Sequence, residues 1–410
     1  MSDFRQDVGA AEAALRSLFE ATPLQRNDLL SKRYGADIWL KREDLTPVRS
    51  YKLRGAFNAM RQAMAGGATR FVCASAGNHA QGMAYACRHF GSRGTIFMPV
   101  TTPQQKIDKT RLFGGECIEI ILTGDYFDQT LTAAQDYCAQ QEAHFLSPFD
   151  DPDIITGQAT CALEIEAQLG RRPDRLVIPV GGGGLAAGLT RYFGSEPPRF
   201  DFAEPAGGAS LRAALAQGRQ VTLEKLDTFV DGAAVARIGD LPFAALRRFS
   251  PDRVHAAPED RICGTILEML NTEGVVLEPA GALAIDVLRD LGDLAGQSVV
   301  CICSGGNFDF ERLPEVKERA QRFAGLKKYF VLRLPQRPGA LREFLELLGP
   351  HDDISRFEYL KKSARNFGSV LIGIETDDPA NLHSLAARLD AAGFGYRDIT
   401  GDVMLSEFLI

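Results

Sequence analysis

The sequence predicts an α/β fold built on mainly parallel sheets, followed by a small α+β domain of the ferredoxin-like type. From about Thr22 to Phe323, short β-rich runs alternate with helical runs. The β-rich runs are continuously apolar, which is typical of strands covered by helices on both faces. After residues 321–325 the pattern changes to a βαββαβ order. At about 150 residues per domain, a chain of 410 residues has room for two or three domains.

The elements of the first region are apolar runs bounded by glycine or proline. In chain order they are a strand at 70–74, a helix at 80–90, a strand at 95–98, a helix at 103–113, and strands at 117–122, 175–180 and 298–303. Continuous apolar strands separated by helices predict parallel pairing, because a parallel connection needs a crossover.

The last part of the chain has a different order of predicted strands and helices. Its predicted elements are a strand at 329–334, a turn at 335–339, a helix at 340–348, strands around 354–360 and 368–375, a helix at 379–392 and a last strand near 402–408. Pro338-Gly339 opens the first of these helices. We therefore expect a second domain that begins near residue 327.

Charge and hydropathy exclude several classes of partner. The net charge is −7 and no long basic run occurs, so we expect no nucleic-acid partner. The most basic short stretch, at Lys361, Lys362 and Arg365, is interpreted as a solvated loop. No window approaches the roughly 18 apolar residues of a membrane span. The first residues lack a basic segment followed by an apolar one, so we expect a cytoplasmic protein with no membrane partner.

The eight cysteines include no Cys-x-x-Cys pair; they lie at 73, 87, 117, 138, 161, 263, 301 and 303. Because nothing indicates secretion, we expect buried free thiols rather than disulfides or a zinc site. The sequence patterns of P-loop proteins and zinc proteases do not occur.

Glycine is the outlier of the composition, with 40 of 410 residues. Four of them, Gly181, Gly182, Gly183 and Gly184, precede Leu185 between a predicted strand and a predicted helix. The N–H groups of such a loop can converge on an anion, and the helix dipole adds to the attraction. A phosphate site and a flexible turn both fit this loop taken alone.

Lys52 is flanked by Tyr51 and Leu53 and followed by an apolar helical run. A lysine removed from water has a lowered pKa and becomes a nucleophilic amine suited to Schiff-base formation. An exposed lysine at a helix start is the alternative for this residue taken alone.

Two polar turns follow strands of the same region. The first could hold a carboxylate with its N–H groups and a hydroxyl; its residues are Ser75, Ala76, Gly77, Asn78 and His79. The Asn78 amide could bind a phenolic oxygen. For His79 we prefer a helix-start residue satisfied by the backbone over a general base. The second turn is Ser304-Gly305-Gly306-Asn307, which alone is no more than another strand-to-helix turn.

A reactive lysine, a phosphate loop and two polar turns at sheet edges are what a pyridoxal phosphate enzyme requires. The order and the residues of these motifs resemble those of the fold type II pyridoxal-phosphate enzymes, which have a tryptophan synthase β-like fold of two parallel-sheet subdomains. More narrowly, the chain is similar to the biosynthetic, regulated threonine dehydratases (threonine ammonia-lyases). The matching segments cover nearly the whole chain and lie at 46–56, 75–82, 181–184, 229–235, 278–282 and 304–307.

This resemblance implies a role for each motif. Lys52 would hold pyridoxal 5'-phosphate as a Schiff base and move the Cα proton, and Asn78 would contact the ring hydroxyl. The loop 181–185 would bind the cofactor phosphate, Ser304 would face the pyridine nitrogen, and the turn from Ser75 to His79 would bind the substrate carboxylate. A serine hydroxyl does not hold the pyridine protonated as an aspartate would, which favours β-elimination over transamination.

The resemblance also implies an activity and a domain arrangement. The reaction would be deamination of L-threonine to 2-oxobutanoate and ammonia, the first step of isoleucine biosynthesis, with L-serine also accepted. Residues 1–325 would form the catalytic domain, with a small subdomain of about 50–150 inserted in the large one. Relatives that bind a divalent cation have acidic residues after a Glu-Pro turn. Here Glu204-Pro205 is followed by small residues and Ser210, so we expect no metal, with a monovalent ion at Glu204 as the alternative.

Residues 327–410 resemble a single ACT-like regulatory module, with the match at 334–341. Such modules bind amino acids where two of them pair. The resemblance therefore implies inhibition by isoleucine and a homo-oligomer, either a dimer or a tetramer. A catabolic serine/threonine dehydratase and a serine racemase-like enzyme are alternatives within the cofactor family. A nicotinamide dehydrogenase and a non-catalytic amino-acid sensor lie outside it, and both leave Lys52 without a purpose.

Overall fold

The structure, a computed structural model, describes residues 3–194, 197–360 and 366–402. This part of the chain contains strands β1 (Leu24–Arg26), β2 (Asp37–Arg42), β3 (Arg70–Ala74), β4 (Arg93–Met98), β5 (Ile118–Leu122), β6 (His144–Phe145), β7 (Arg175–Pro179), β8 (Arg199–Pro205), β9 (Val254–Ala257), β10 (Ser298–Cys303), β11 (Lys327–Pro335), β12 (Asp353–Leu360), β13 (Phe367–Glu375) and β14 (Gly395–Asp398).

Its α-helices are α1 (Phe4–Leu15), α2 (Asp28–Tyr34), α3 (Lys52–Ala65), α4 (Asn78–Phe90), α5 (Gln104–Gly114), α6 (Phe127–Gln140), α7 (Pro152–Leu169), α8 (Gly184–Phe193), α9 (Ser210–Gln217), α10 (Asp240–Leu246), α11 (Glu259–Glu273), α12 (Pro279–Asp286), α13 (Leu313–Phe323), α14 (Ala340–Leu345) and α15 (Pro379–Ala391). None of these helices is both long and apolar enough to cross a bilayer.

The larger sheet of the first region has six strands in the order β1-β2-β10-β7-β8-β9. β1 pairs antiparallel with β2, and every other neighbouring pair is parallel. β7 and β10 are buried along their whole length, as expected for apolar strands with helices on both faces. The core on this sheet includes Leu176, Phe202 and Val300 packed with Leu189 of α8.

The smaller sheet has four parallel strands in the order β5-β4-β3-β6, all within residues 50–150. Two apolar clusters contain residues of this sheet. One includes Met60, Met83 and Ile96, and the other includes Val72 and Phe97. The carboxyl ends of parallel strands meet at one edge of a sheet, so the turns after β7 and β10 share an edge of the larger sheet, and the turn after β3 lies at the corresponding edge of the smaller one.

The last part of the chain forms a four-stranded antiparallel sheet in the order β12-β13-β11-β14, with α14 and α15. Numbered by chain order, this is 2-3-1-4, the arrangement of a ferredoxin-like βαββαβ unit. Its core includes Phe330, Ile372 and Leu385. The predicted fold class is therefore confirmed for both regions.

The chain divides into two compact units, and the second begins at Phe310 and also takes in Asp260–Leu267. This differs from the boundary expected near residue 327. The reason is α13, whose Glu318 pairs with Lys327 of β11 at 2.6 Å, while Arg319 of the same helix donates to Asp260 at 2.9 Å.

The predictions for the last part of the chain differ from the structure at one strand, and two of them lie outside the described residues. β14 was not predicted, because its four residues are mostly exposed and carry no apolar pattern. The predicted strand near 402–408 lies outside the described residues beyond Asp402, and so does the basic loop of Lys361, Lys362 and Arg365.

Candidate active site

Lys52 is the first residue of α3, and the loop before it is fixed to the end of β10. Ser50 pairs with Gly305, and the Tyr51 N–H donates to the Ser304 carbonyl at 3.1 Å. The half-buried Lys52 side chain donates from Nζ to the Pro148 carbonyl at 2.7 Å. Removal from water lowers the pKa of Lys52 to about 8, against a smaller opposing effect of Glu278. About a tenth of an amine with this pKa is neutral at pH 7, so Lys52 is a far better nucleophile than an exposed lysine.

The glycine loop connects β7 to α8 and is closely covered by Phe149. A Cβ on Gly182 would lie 2.1 Å from the Phe149 ring, and one on Gly184 would lie 2.9 Å from the Phe149 carbonyl. Gly183 caps α8 with φ +89°, a conformation that favours glycine. Gly181 also lacks room, since its Cβ would lie 3.0 Å from the Ala233 Cα. The loop therefore presents bare backbone and a helix N-terminus, which suits a phosphate group.

The first polar turn connects β3 to α4. The Ser75 hydroxyl accepts a hydrogen bond from the Gly77 N–H at 3.2 Å. Residues 75–78, which include Ala76, are partly accessible to solvent. The buried His79 ring donates from Nε2 to the Leu146 carbonyl at 2.9 Å. Burial, and then the nearby Lys52, lower the pKa of His79 to about 3. His79 is therefore neutral near pH 7 and structural in this arrangement, which matches the interpretation preferred from the sequence.

Asn78 belongs to a polar network that joins three elements. Its Nδ2 donates to Glu278 Oε1 at 2.7 Å, and its Oδ1 accepts from Asn307 Nδ2 at 2.7 Å. Lys109 Nζ in turn donates to Asn307 Oδ1 at 2.9 Å. Asn78 is thus held at both ends of its amide, with one N–H committed to Glu278.

Ser304 directly follows β10 and is buried. Its hydroxyl donates to the Ala280 carbonyl at 3.1 Å, so the turn after β10 is fixed to the start of α12. A Cβ on Gly281 would lie 2.1 Å from the Gly305 carbonyl, which shows how closely these two segments pack.

The structure brings the predicted residues to one region of the first unit. The Lys52 loop contacts Ser304, Asn78 contacts Asn307 in the same turn, and Phe149 covers the glycine loop beside the carbonyl that binds Lys52. The sequence motifs assign no role to Glu278, which lies in the matching segment 278–282. A carboxylate in a Glu-Pro pair at the start of an apolar helix was the signal that could have identified it.

These residues fit pyridoxal phosphate. The glycine loop has no room for a Cβ at any of its four positions, so the groups it can offer a phosphate are its backbone and the N-terminus of α8, and the amine with the lowered pKa is the group that forms a Schiff base.

Glu204, the alternative ion ligand, is used as a helix cap. Both of its oxygens accept N–H groups at the start of α9, from Leu211 at 2.8 Å and Arg212 at 3.0 Å. Within residues 3–194, 197–360 and 366–402, no group of three or more His, Cys, Asp or Glu side chains is arranged to hold a metal ion.

Comparison with known proteins gives the same picture for both units. Residues 15–305 match the family described as pyridoxal-phosphate dependent enzyme, and residues 318–409 match the C-terminal regulatory domain of threonine dehydratase. L-threonine dehydratase biosynthetic IlvA of Bacillus subtilis is 48% identical over 95% of this chain and 93% of its own length. The protein of that name from Halalkalibacterium halodurans is 44% identical over 99% of both chains.

A solved structure supports the assignment. The processed form of threonine deaminase isoform 2 from Solanum lycopersicum superposes with a TM-score of 0.72 at 36% identity, over 78% of this chain and 94% of that one. These findings confirm the family, the lyase class and the cofactor expected from the sequence motifs. The chain belongs to the fold type II pyridoxal-phosphate enzymes and, within them, to the family of biosynthetic threonine dehydratases with a C-terminal regulatory domain.

Proposed function

We propose that this enzyme deaminates L-threonine to 2-oxobutanoate and ammonia by β-elimination, as the first step of isoleucine biosynthesis, and that it also converts L-serine to pyruvate. The observation that carries the proposal is the placement of Lys52. Its amine has a pKa of about 8 and lies beside Phe149, the residue that covers the glycine loop.

The residues that would hold the cofactor are Lys52, Asn78, the loop from Gly181 to Leu185, and Ser304. When bound, pyridoxal phosphate supplies an electron sink next to the Cα atom of the amino acid. The Ser304 hydroxyl is neutral and donates its hydrogen to the Ala280 carbonyl in the structure, so the hydroxyl would have to turn to donate to the pyridine nitrogen. It would then supply that hydrogen bond without a charge, which suits quick loss of the β-hydroxyl.

The substrate carboxylate would bind at the turn from Ser75 to His79. Its N–H groups stand at the N-terminus of α4, where the helix dipole favours a negative charge. With the amino acid bound, the neutral Lys52 amine would take the Cα proton. The β-hydroxyl would leave as water with one added proton, which balances the proton taken from Cα, and a water molecule would then hydrolyse the released enamine, so that one amino acid gives one 2-oxo acid and one ammonia.

We assign catalysis to residues 1–325 and regulation to residues 327–410. The 2-3-1-4 sheet of β11–β14 and its match to a threonine dehydratase regulatory domain support an amino-acid effector, which we propose to be isoleucine acting as an inhibitor. Pairing of such modules between subunits implies a homo-oligomer, and we propose a homotetramer. Effector and substrate binding are then reciprocally coupled.

We place the enzyme in the cytoplasm. The eight cysteines, all within the described residues, form no disulfide, and seven of them are buried, as suits a reducing compartment.

The test is a steady-state assay of 2-oxo acid release from threonine and serine, with and without isoleucine. Lys52→Ala should abolish release, whereas Lys32→Ala, which changes an exposed lysine of α2, should leave it unchanged. Undiminished turnover of Lys52→Ala would refute the mechanism. Insensitivity to isoleucine would favour a catabolic dehydratase, and D-serine as the main product would favour a racemase.

A further inference from the structure

Glu278 is a buried carboxyl group next to the proposed cofactor site, with no part in the reaction described above. It stands immediately before α12 and is 6% exposed. Its carboxylate accepts from Asn78 Nδ2 at 2.7 Å and from the backbone N–H of Asn307. Both neighbours are donors, so the ionised form matches its surroundings.

The network around Glu278 fixes which way the Asn78 amide faces. An amide side chain has nearly the same shape after a flip that exchanges oxygen and nitrogen, so only its partners distinguish the two orientations. Glu278 requires Nδ2 on its side, and Asn307 Nδ2 requires Oδ1 on the other. Among the described residues, Glu278 is the one side-chain acceptor in contact with Nδ2, which leaves the second N–H of Asn78 for a ligand.

The charges around Glu278 come from several elements. Burial, and then Asp231, raise the pKa of Glu278 to about 7, against opposing effects of Asn78 and Lys106. Lys106 is itself paired with Asp231, and the charges of Lys52 and Lys109 also act on Glu278.

Space around the carboxyl is restricted. A Cβ on Gly305 would lie 2.2 Å from Glu278 Oε1, so the backbone of the turn after β10 is packed directly against this oxygen. The carboxyl therefore has little freedom to move away from Asn78.

We propose that Glu278 is a positioning residue whose ionised carboxylate holds the Asn78 amide with an N–H facing the ring oxygen of bound pyridoxal phosphate. This rests on the proposed role of Asn78. A donor at that position stabilises the ring oxygen as an anion, the form responsible for the long-wavelength absorption of the bound cofactor. Protonation of Glu278 weakens the hold on the amide, so the absorption depends on pH.

The first test is Glu278→Gln in the full-length holoenzyme. Glutamine has one acceptor oxygen, so its NH₂ group must face one of the two donors, Asn78 or Asn307. We expect the Kd for pyridoxal phosphate, measured by ultrafiltration, to rise by about tenfold, as for loss of a charged hydrogen bond. The long-wavelength band should weaken, and its pH transition near 7 should disappear.

Asp174→Asn is a control matched in hydrogen bonds but not in burial, because the Asp174 side chain is 52% exposed. This carboxylate also accepts a backbone N–H and a side-chain donor, both from Ser298, at 2.7 Å each. Ser298 is the first residue of β10, at the opposite edge of the sheet from Ser304. This variant should leave the Kd and the absorption spectrum unchanged.

A double-mutant cycle with Asn78→Ala separates positioning from a merely structural role. If Glu278 acts through Asn78, Glu278→Gln should change the Kd less than about twofold in the Asn78→Ala background. Additive effects would overturn the proposal, and so would an unchanged spectrum or Kd in Glu278→Gln. The Kd and the spectrum need no substrate, so they test Glu278 even if threonine proves not to be deaminated.

Discussion

Replacing Arg54 by methionine tests whether the buried charge network behind Lys52 holds the first unit together. Arg54 lies two residues after Lys52 in α3, and its side chain is fully buried. Its guanidinium makes six hydrogen bonds, two each to Glu43 and Glu164 and one each to Thr22 and Thr160. The network thus joins α3, α7 and the segments around β2.

The magnitude follows from what the substitution leaves behind. Glu164 keeps Lys41 Nζ at 2.6 Å and the Arg16 guanidinium, so it remains paired. Glu43 keeps only the Thr22 hydroxyl, at 2.7 Å, among the described residues. Stranding a buried carboxylate by removing its partner costs about 3–5 kcal/mol. We therefore expect Arg54→Met to lower the free energy of unfolding by about 4 kcal/mol.

The assay is urea denaturation followed by the fluorescence of Trp39, the single tryptophan, which lies in β2. Arg33→Met is the control, because Arg33 makes a similar two-pronged pair with Glu268 but is 39% exposed. That variant should lose about 1 kcal/mol or less. A loss for Arg54→Met no larger than the control's would refute the reasoning.

The same network fixes the sign of a pH effect. Although burial opposes it, Arg54, followed by Lys41, lowers the pKa of Glu164 from 4.5 to about 2. Because the folded-state pKa is the lower one, Glu164 contributes stability above pH 4.5, and this is lost as the pH falls from 4.5 towards 2. In Arg54→Met the loss over this interval should be smaller.

Three further predictions concern the site and the regulatory unit. Gly182→Ala places a Cβ 2.1 Å from the Phe149 ring and should weaken cofactor binding by about tenfold or more. Gly264 lies at an exposed helical position with open space around it, so Gly264→Ala should raise the free energy of unfolding by about 1 kcal/mol. The rate at which the apoenzyme captures pyridoxal phosphate should rise with pH up to about 8 and then level off, because only the neutral Lys52 amine reacts; a flat stopped-flow profile from pH 6 to 9 would contradict this. Deletion of residues 327–410 should remove isoleucine inhibition while 2-oxo acid release from threonine continues; retained inhibition would contradict the assignment of the effector site.

The parts of the site that lie within one short segment could be predicted from the sequence. Lys52, the four glycines at 181–184 and the turn at 75–79 each combine a strand end, a helix start and the required residue type in fewer than ten residues. Their chemistry is local, because a helix N-terminus and bare backbone suffice to bind an anion. The apolar residues beside Lys52 favoured its removal from water, but an exposed lysine at a helix start fitted the same residues.

The contacts between distant segments could not be predicted in the same way. Asn78 and Glu278 are 200 residues apart, and nothing in either motif specifies that they meet. The same holds for the contact of Lys52 with the Pro148 carbonyl, where a backbone oxygen leaves no trace in residue type. The inclusion of Asp260–Leu267 in the second unit has a related reason, since Arg319 and Asp260 pair across 59 positions.

Most glycines of the candidate site are required for a different reason from the one that turn chemistry suggests. Of the four glycines at 181–184, only Gly183 has a positive φ. The φ angles of Gly281 and Gly305 are not positive. An added Cβ would lie 2.1 Å from an aromatic ring at Gly182, 2.1 Å from a carbonyl oxygen at Gly281 and 2.2 Å from a carboxylate oxygen at Gly305. Space, rather than backbone conformation, therefore excludes side chains there. If the loop were simply flexible, alanine would be tolerated at Gly182 as well as at any position with ordinary φ. Because the close neighbours are Phe149, Gly305 and Glu278, these glycines allow segments from different parts of the chain to approach one site, and that approach places Glu278 against Asn78.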